Sequence, residues 1–155
     1  MYLPFILLTM AVLPILSILI ELAMGNAPDP VLLIGKWFVF WAVGVRLFAA
    51  GINQILRPSF TSKGIFGTSD PGAERIVVEI GFGNVAIGLI ALLSLFFPAW
   101  VAPAGFAGMI YLGLAGIRHT MNRDRKPTEN IAMISDLGVA AILLVYLLMT
   151  LIVFG

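Results

Sequence analysis

Five long apolar segments fill almost the whole of this 155-residue chain, and they constrain its fold more than any other feature. They cover residues 3–24, 31–56, 76–97, 100–117 and 131–154. In hydrocarbon a helix satisfies its own backbone hydrogen bonds, and about 20 apolar residues suffice to cross the bilayer. Hydrophobic residues make up 61% of the chain, against about 45–50% in ordinary soluble domains. The sequence therefore predicts an all-α integral membrane protein, with five transmembrane helices packed as a compact antiparallel bundle in a single domain, residues 1–155.

Two segments need an argument beyond their length. Segment 100–117 is separated from 76–97 by a tight corner that contains Pro98 and Pro103. One helix running through both prolines is disfavoured, because proline breaks helices. The first segment has no Lys or Arg before it and is longer than the apolar core of a signal peptide, about 7–15 residues. We interpret it as a retained transmembrane helix.

Basic residues are concentrated in two loops, and this predicts the orientation. The loops at 57–75 and 118–130 hold Arg57, Lys63 and Arg75, and Arg118, Arg123, Arg125 and Lys126, whereas the opposite side holds only Lys36. With five spans these loops share one side with the N-terminus. The positive-inside rule places that side in the cytoplasm of a bacterium, with the C-terminus outside the cytoplasmic (inner) membrane. Trp37, Trp41 and Trp100 are then expected near the outer interface.

Composition also excludes several classes of function. The net charge is +1 and no dense Lys/Arg run exists, so nucleic acid is not an expected partner. The absence of cysteine excludes thiolate zinc sites and iron–sulfur clusters. No spacing of ligands is diagnostic of a metal site, and no nucleophile motif is present, so the sequence assigns no catalytic residue and leaves enzymatic activity open.

Arg46 is the residue whose burial in a membrane costs most. It lies ten residues before the end of its segment, or about 15 Å, and so near the bilayer midplane. A charge at that depth is expected to face the bundle interior and to have a partner. Glu79 and Asp136 are the only carboxylates in the cytoplasmic halves of the spans, so one of them is expected to pair with Arg46. The pair could serve a ligand site or only fix helix packing.

Amides accompany these charges on the second and third segments. Asn53 is seven residues beyond Arg46, close to two helical turns, so the two share a face, whereas Gln54 belongs to a neighbouring face. Glu79 and Asn84 are five residues apart, about 140° around the helix, and cannot both point straight into one pocket.

The fourth and fifth segments complete the polar set. His119 and Asn122 are three residues apart and share a helix face, although His119 could equally cap the helix end. We therefore predict a polar pocket open toward the cytoplasm. It would be lined by Arg46, Asn53, Glu79, Asn84, His119, Asn122 and Asp136.

Several of these residues also carry a family resemblance. The run from Glu79 to Asn84 with Gly88, the Pro98 corner, His119 with Asn122, and Asp136 resemble an uncharacterised family of small bacterial membrane proteins, over about residues 37–150. More distantly, Gly44, Arg46, Gly51 and Pro58 are similar to the first helix of DoxX-like proteins. This resemblance implies a four-helix core formed by the second to fifth helices, with the first helix added. Some DoxX relatives are associated with quinone-linked sulfur oxidation, although Asn53 and Gln54 stand here where DoxX-like sequences often place a lysine.

Two functions are consistent with this pattern. In the first, the pocket binds a quinone or lipid-like small molecule, with proton exchange at His119 or Glu79 if turnover occurs. In the second, the protein is a non-catalytic accessory or assembly subunit of a larger membrane complex. Small residues on several helices allow close helix packing and leave surface for a homo-oligomer. A transporter is disfavoured, because no internal repeat is visible.

Overall fold

The computed structural model describes residues 2–25 and 29–154, and within these ranges the chain is helical and has no strand. The helices are α1 (Leu3–Ala23), α2 (Pro30–Leu56), α3 (Pro58–Gly64), α4 (Pro71–Leu93), α5 (Val101–Met121) and α6 (Pro127–Phe154). In the described part of the chain, all of these except the short α3 are long and apolar enough to cross a membrane. The predicted helical bundle with five spans is confirmed in this respect.

Capping residues set two helix starts earlier than the apolar segments alone suggest. The Asp70 carboxylate accepts hydrogen bonds from the backbone N–H groups of Gly72 and Ala73, both at 3.2 Å, and Pro71 occupies the first helical position. Proline is favoured there because its missing N–H would be unpaired anyway. In the same way Pro127 opens α6. Four residues of the predicted loop 118–130 therefore belong to this helix.

The corner between α4 and α5 differs slightly from the predicted one. After Leu93 the chain turns and passes through a short 3₁₀ helix, Pro98–Trp100. Pro103 lies beyond this corner, in the first turn of α5, where a proline leaves no hydrogen bond unmade. Only Pro98 belongs to the turn itself.

Helix α2 lies at the centre of the bundle and α1 at its edge. Half of the apolar window of α2 is buried, 50%, against 17% for α1. Helix α2 packs chiefly on α4, and α5 on α6. Glycines permit the α2–α4 contact: a Cβ added to Gly88 would lie 2.5 Å from the backbone nitrogen of Phe48, and one added to Gly51 would lie 2.6 Å from the Gly81 carbonyl oxygen. The two backbones thus touch without side chains between them.

Two of the spanning helices contain a π-helical segment with one residue more per turn. These segments are Leu8–Val12 in α1 and Val39–Val45 in α2, and they contact each other. The second segment ends at the residue before Arg46. Because the wide turn holds an additional residue, Arg46 lies on a different face of α2 from the one that an unbroken α-helix of the same sequence would give it.

The two charged loops meet at one end of the bundle, which we call the charged end (residues 57–70 and 122–126). Lys126 Nζ donates to the Lys63 carbonyl at 2.9 Å, and the Thr128 hydroxyl donates to the Gly64 carbonyl at 2.7 Å. The prediction that both loops lie on the same side of the spans is therefore confirmed.

The opposite end, which we call the tryptophan end, joins α1 to α2. The Glu21 carboxylate accepts from Lys36 Nζ at 2.8 Å and from the Trp37 indole at 2.7 Å. The Trp41 indole donates to the Ser17 hydroxyl at 3.0 Å. These contacts hold α1 against α2 through polar groups as well as apolar ones.

Candidate functional site

Arg46 lies inside the bundle and pairs with a carboxylate on another helix. Its guanidinium Nη2 donates to Asp136 and, at 3.2 Å, to the Ser135 hydroxyl, both on α6. Arg46 and Asp136 are 5% and 6% exposed, so neither charge is hydrated from outside the bundle. An acidic partner for Arg46 was predicted, and of the two candidate carboxylates Asp136 supplies it.

A second polar contact crosses from α2 to α4. Asn84 Nδ2 donates to Gln54 Oε1 at 2.6 Å, and Asn84 is 4% exposed. The Tyr111 side chain on α5 lies near Asn84 and near the carboxylate of Asp136. Four helices thus contribute to one polar group, which we call the buried polar group. It consists of the buried Arg46, Asn84, Ser135 and Asp136 and the partly buried Gln54 and Tyr111.

Two atoms of this buried polar group are left without a hydrogen bond. Arg46 Nη1, a donor, and Asn84 Oδ1, an acceptor, are both buried and have no partner among the described residues. An unpaired buried polar atom costs about 1–3 kcal/mol, so native proteins rarely leave one unused. The bundle interior therefore contains an unpaired donor and an unpaired acceptor on two different helices.

Four of the residues predicted for the pocket lie outside the buried polar group: Asn53, Glu79, His119 and Asn122. Glu79 is exposed on the outer surface of α4, and the expectation that it lines the interior is wrong. Its position 140° from Asn84 around the helix explains this, because Asn84 takes the inward face. Glu79 is two residues from Gly81, and a Cβ added to Gly81 would lie 3.1 Å from the Cβ of Gln54 on α2. Glu79 is thus level with the last turn of α2, near the charged end, where a carboxylate can reach water.

Asn53 is only partly buried and makes no side-chain hydrogen bond to any described residue. Gln54 takes the inward position that was expected for Asn53. The reason is the packing of α2 on α4. Gly51 and Gln54 lie three residues apart on the face of α2 that touches α4. Asn53 instead lies on the same helix face as Arg46, where its side chain makes no hydrogen bond to a described residue.

His119 and Asn122 form a separate contact at the charged end. His119 Nδ1 lies 3.0 Å from Glu129 Oε1, and Asn122 Nδ2 donates to both oxygens of Glu129 at 3.0 and 2.9 Å. We call these three residues the end cluster. The predicted shared face of His119 and Asn122 is confirmed, since both reach the same carboxylate. The end of α5 is capped by Arg125, whose Nη1 donates to the carbonyls of His119 and Thr120.

Four contributors to these contacts were not predicted from the sequence: Gln54, Tyr111, Ser135 and Glu129. Only Glu129 carried a signal, because an acidic residue two positions after Pro127 is typical of a helix start. Tyr111 lies in an apolar stretch with no polar residue three or four positions before or after it. Its role depends on which way α5 faces, and that is fixed only by packing.

The buried polar group and the end cluster are stacked along α6. Glu129 and Asp136 are seven residues apart, so they share a face about 10.5 Å from each other. Chemically, the buried polar group contains one unpaired donor and one unpaired acceptor, and Arg46 and Asp136 balance each other's charge. Comparisons with protein-family models, with curated proteins and with solved structures gave no match.

Proposed function

We propose that this is a multi-pass protein of the bacterial cytoplasmic membrane that binds the polar head of a small amphipathic molecule, a quinone or a lipid-like compound, at the buried polar group. The observation that supports this most directly is the pair of buried atoms without partners, Arg46 Nη1 and Asn84 Oδ1. In hydrocarbon no bulk water is present to satisfy such atoms. A ligand that satisfies both would gain hydrogen bonds that the protein alone leaves unmade.

The two atoms favour a particular kind of head group. Arg46 Nη1 can donate to a carbonyl oxygen, and Asn84 Oδ1 can accept from a hydroxyl. The carbonyl oxygens of a quinone suit Arg46 Nη1 alone, whereas the hydroxyls of its reduced form can accept from Arg46 Nη1 and donate to Asn84 Oδ1. The Tyr111 hydroxyl lies near Asn84 as a further hydrogen-bonding group. Because Asp136 already neutralises Arg46, an uncharged head is preferred over an anionic one. The resemblance to DoxX-like proteins permits the same class of ligand.

The test is native mass spectrometry of the gently solubilised protein, followed by identification of any small molecule that is released. The wild type is expected to carry one small molecule per chain. In the informative variant, Arg46→Leu is combined with Asp136→Leu. Replacing both members of a buried pair by apolar residues commonly preserves the fold, whereas removing one member costs about 3–5 kcal/mol. The double variant is expected to fold and to lose the molecule.

A matched control removes the ion pair at the tryptophan end, with Glu21→Gln and Lys36→Gln. This pair, at 2.8 Å, is far from the buried polar group, so its loss should leave the bound molecule in place. The proposal fails if the wild type releases no small molecule, or if the Arg46 and Asp136 double variant retains it.

The alternative is an accessory subunit of a larger membrane complex, and one observation favours it. The outer face of α4 exposes Arg75, Glu79 and Gly83, and a Cβ added to Gly83 would meet nothing within 4 Å. Small residues on a lipid-facing surface allow another helix to approach closely. In that case the same experiment would show a larger complex, or a homo-oligomer, that co-purifies without a small molecule.

A further inference from the structure

A cleft opens at the charged end, next to the end cluster and apart from the buried polar group. Its volume is about 470 Å³, within the range of about 300–1,000 Å³ typical of ligand sites. It is lined by Phe66, Arg118, His119, Met121, Asn122 and Glu129. The cleft therefore combines charged groups with apolar ones at the level where the helices end.

Among the charged side chains that line this cleft, Arg118 is the one that is not engaged by another described residue. The Glu129 carboxylate, 5% exposed, is already held by His119 and Asn122. Arg118 is exposed and makes no hydrogen bond or ion pair with any described residue. In contrast, Arg125 is engaged by carbonyls at the end of α5. An incoming anion would thus meet an unpaired cation and a carboxylate whose oxygens already accept hydrogen bonds from His119 and Asn122.

The His119 ring is oriented so that its second nitrogen is available. An ionised carboxylate can only accept, so Nδ1 carries the proton in its contact with Glu129. Nε2 has no partner among the described residues, and it becomes a donor when the ring is protonated. A carboxylate that fixes an imidazole in this way is a common means of orienting the opposite nitrogen toward a ligand.

The rim of the cleft is apolar. Phe66 is 50% exposed and Met121 is 70% exposed. Both lie where the apolar spans meet the charged loops. We propose that this cleft binds a phosphate-bearing anion, held by Arg118 and by His119 Nε2, and that the apolar rim makes an anionic phospholipid its source. This site is independent of the quinone or lipid-like ligand proposed above, which is uncharged and uses Arg46 and Asn84.

The test is a titration of the purified protein in detergent with phosphatidylglycerol, phosphatidylcholine and glycerol phosphate, with bound species counted by native mass spectrometry. Arg118→Gln is expected to weaken the binding of phosphatidylglycerol about tenfold, the usual effect of losing one charge-assisted hydrogen bond. Arg123→Gln is the matched control, because Arg123 is an exposed arginine in the loop that follows α5 and does not line the cleft. It should change binding less than twofold. Thermal unfolding of each variant confirms that the fold is intact.

The outcomes separate the two sources of phosphate and the two sites. Tight phosphatidylglycerol binding that needs Arg118, with weak glycerol phosphate binding, supports the lipid. Equally tight glycerol phosphate binding that needs Arg118 supports the phosphate site and assigns a soluble ester to it. The proposal is overturned if Arg118→Gln and Arg123→Gln bind phosphatidylglycerol alike, or if the zwitterionic lipid binds as tightly as the anionic one. Neither result depends on whether the Arg46 and Asp136 double variant loses its ligand.

Discussion

At the scale of single residues, the buried charge of Arg46 accounts for the main polar contact between α2 and α6. An arginine within the spans is costly unless it is paired, and Asp136 and Ser135 supply that pairing from α6. The sequence narrowed the choice to two carboxylates, because no other acidic residue was at a suitable depth. It could not select between Glu79 and Asp136. That choice depends on the rotation of each helix about its axis, which is set by contacts between backbones.

The two neighbouring amides Asn53 and Gln54 make a matched pair for a prediction. Gln54→Ala removes the partner of a buried amide, Asn84 Nδ2, which it meets at 2.6 Å. We expect it to lower the free energy of unfolding by about 1 kcal/mol, a typical value for polar contacts between membrane helices. Asn53→Ala removes no such contact and should change it by less than about 0.5 kcal/mol.

Reversible unfolding in mixed detergent micelles, followed by circular dichroism, measures both variants. An equal loss of stability for Asn53→Ala and Gln54→Ala would contradict the arrangement described here. A larger loss for Asn53→Ala would mean that this residue faces the interior, as its shared face with Arg46 suggested.

At the scale of helices, glycine decides how closely α2 and α4 approach. The sequence indicated that these glycines serve packing, and it could not indicate which helix each one faces. Gly44, Gly51, Gly81 and Gly88 lie in the α2–α4 contact, whereas Gly83 on the same helix faces outward. Helix starts were more predictable, because the Asp70 cap and Pro71 act locally and need no knowledge of the neighbouring helices.

Substitution of glycine by alanine is therefore expected to destabilise the protein at Gly88 and not at Gly83. Gly88→Ala would place a Cβ 2.5 Å from a backbone nitrogen of α2, and the helices would have to separate. Overpacking of this kind costs about 1–3 kcal/mol. Gly83→Ala meets nothing within 4 Å and should leave stability unchanged or slightly higher, since alanine favours helices. Thermal unfolding of the two variants in one detergent is the measurement, and similar midpoints would contradict the close α2–α4 contact.

At the scale of the whole molecule, the two ends of the bundle differ in the kind of contact that closes them. The charged end is joined by side chains that donate to backbone carbonyls, as Lys126 does to Lys63. The tryptophan end is joined by side chains alone, in the contact of Glu21 with Lys36 and Trp37. Charge distribution along the sequence was enough to predict that the two loops share an end. The contacts at the charged end could not be foreseen, because they join residues more than sixty positions apart.

The absence of cysteine makes the proposed orientation directly testable. Met24→Cys places a single thiol at the tryptophan end, where Met24 is 69% exposed, and Arg123→Cys places one at the charged end. If the charged end is cytoplasmic, as the positive-inside rule predicts, a membrane-impermeant maleimide labels only Met24→Cys in intact cells. Arg123→Cys should react after permeabilisation. The reverse pattern would mean that the protein is inserted the other way round.

The wide turn at Val39–Val45 has a consequence for how α2 tolerates change in length. A turn of this kind holds about one residue more than an α-helical turn for the same rotation, so the helix on either side of it keeps the orientation of a regular α-helix. Deleting one residue from this segment would let the turn close to an α-helical one and leave Arg46 facing Asp136. The same deletion in an α-helical stretch would turn one half of the helix against the other by about 100°, the angle of a single helical step. The wide turn thus lets α2 tolerate a change of one residue in length without separating the charge pair.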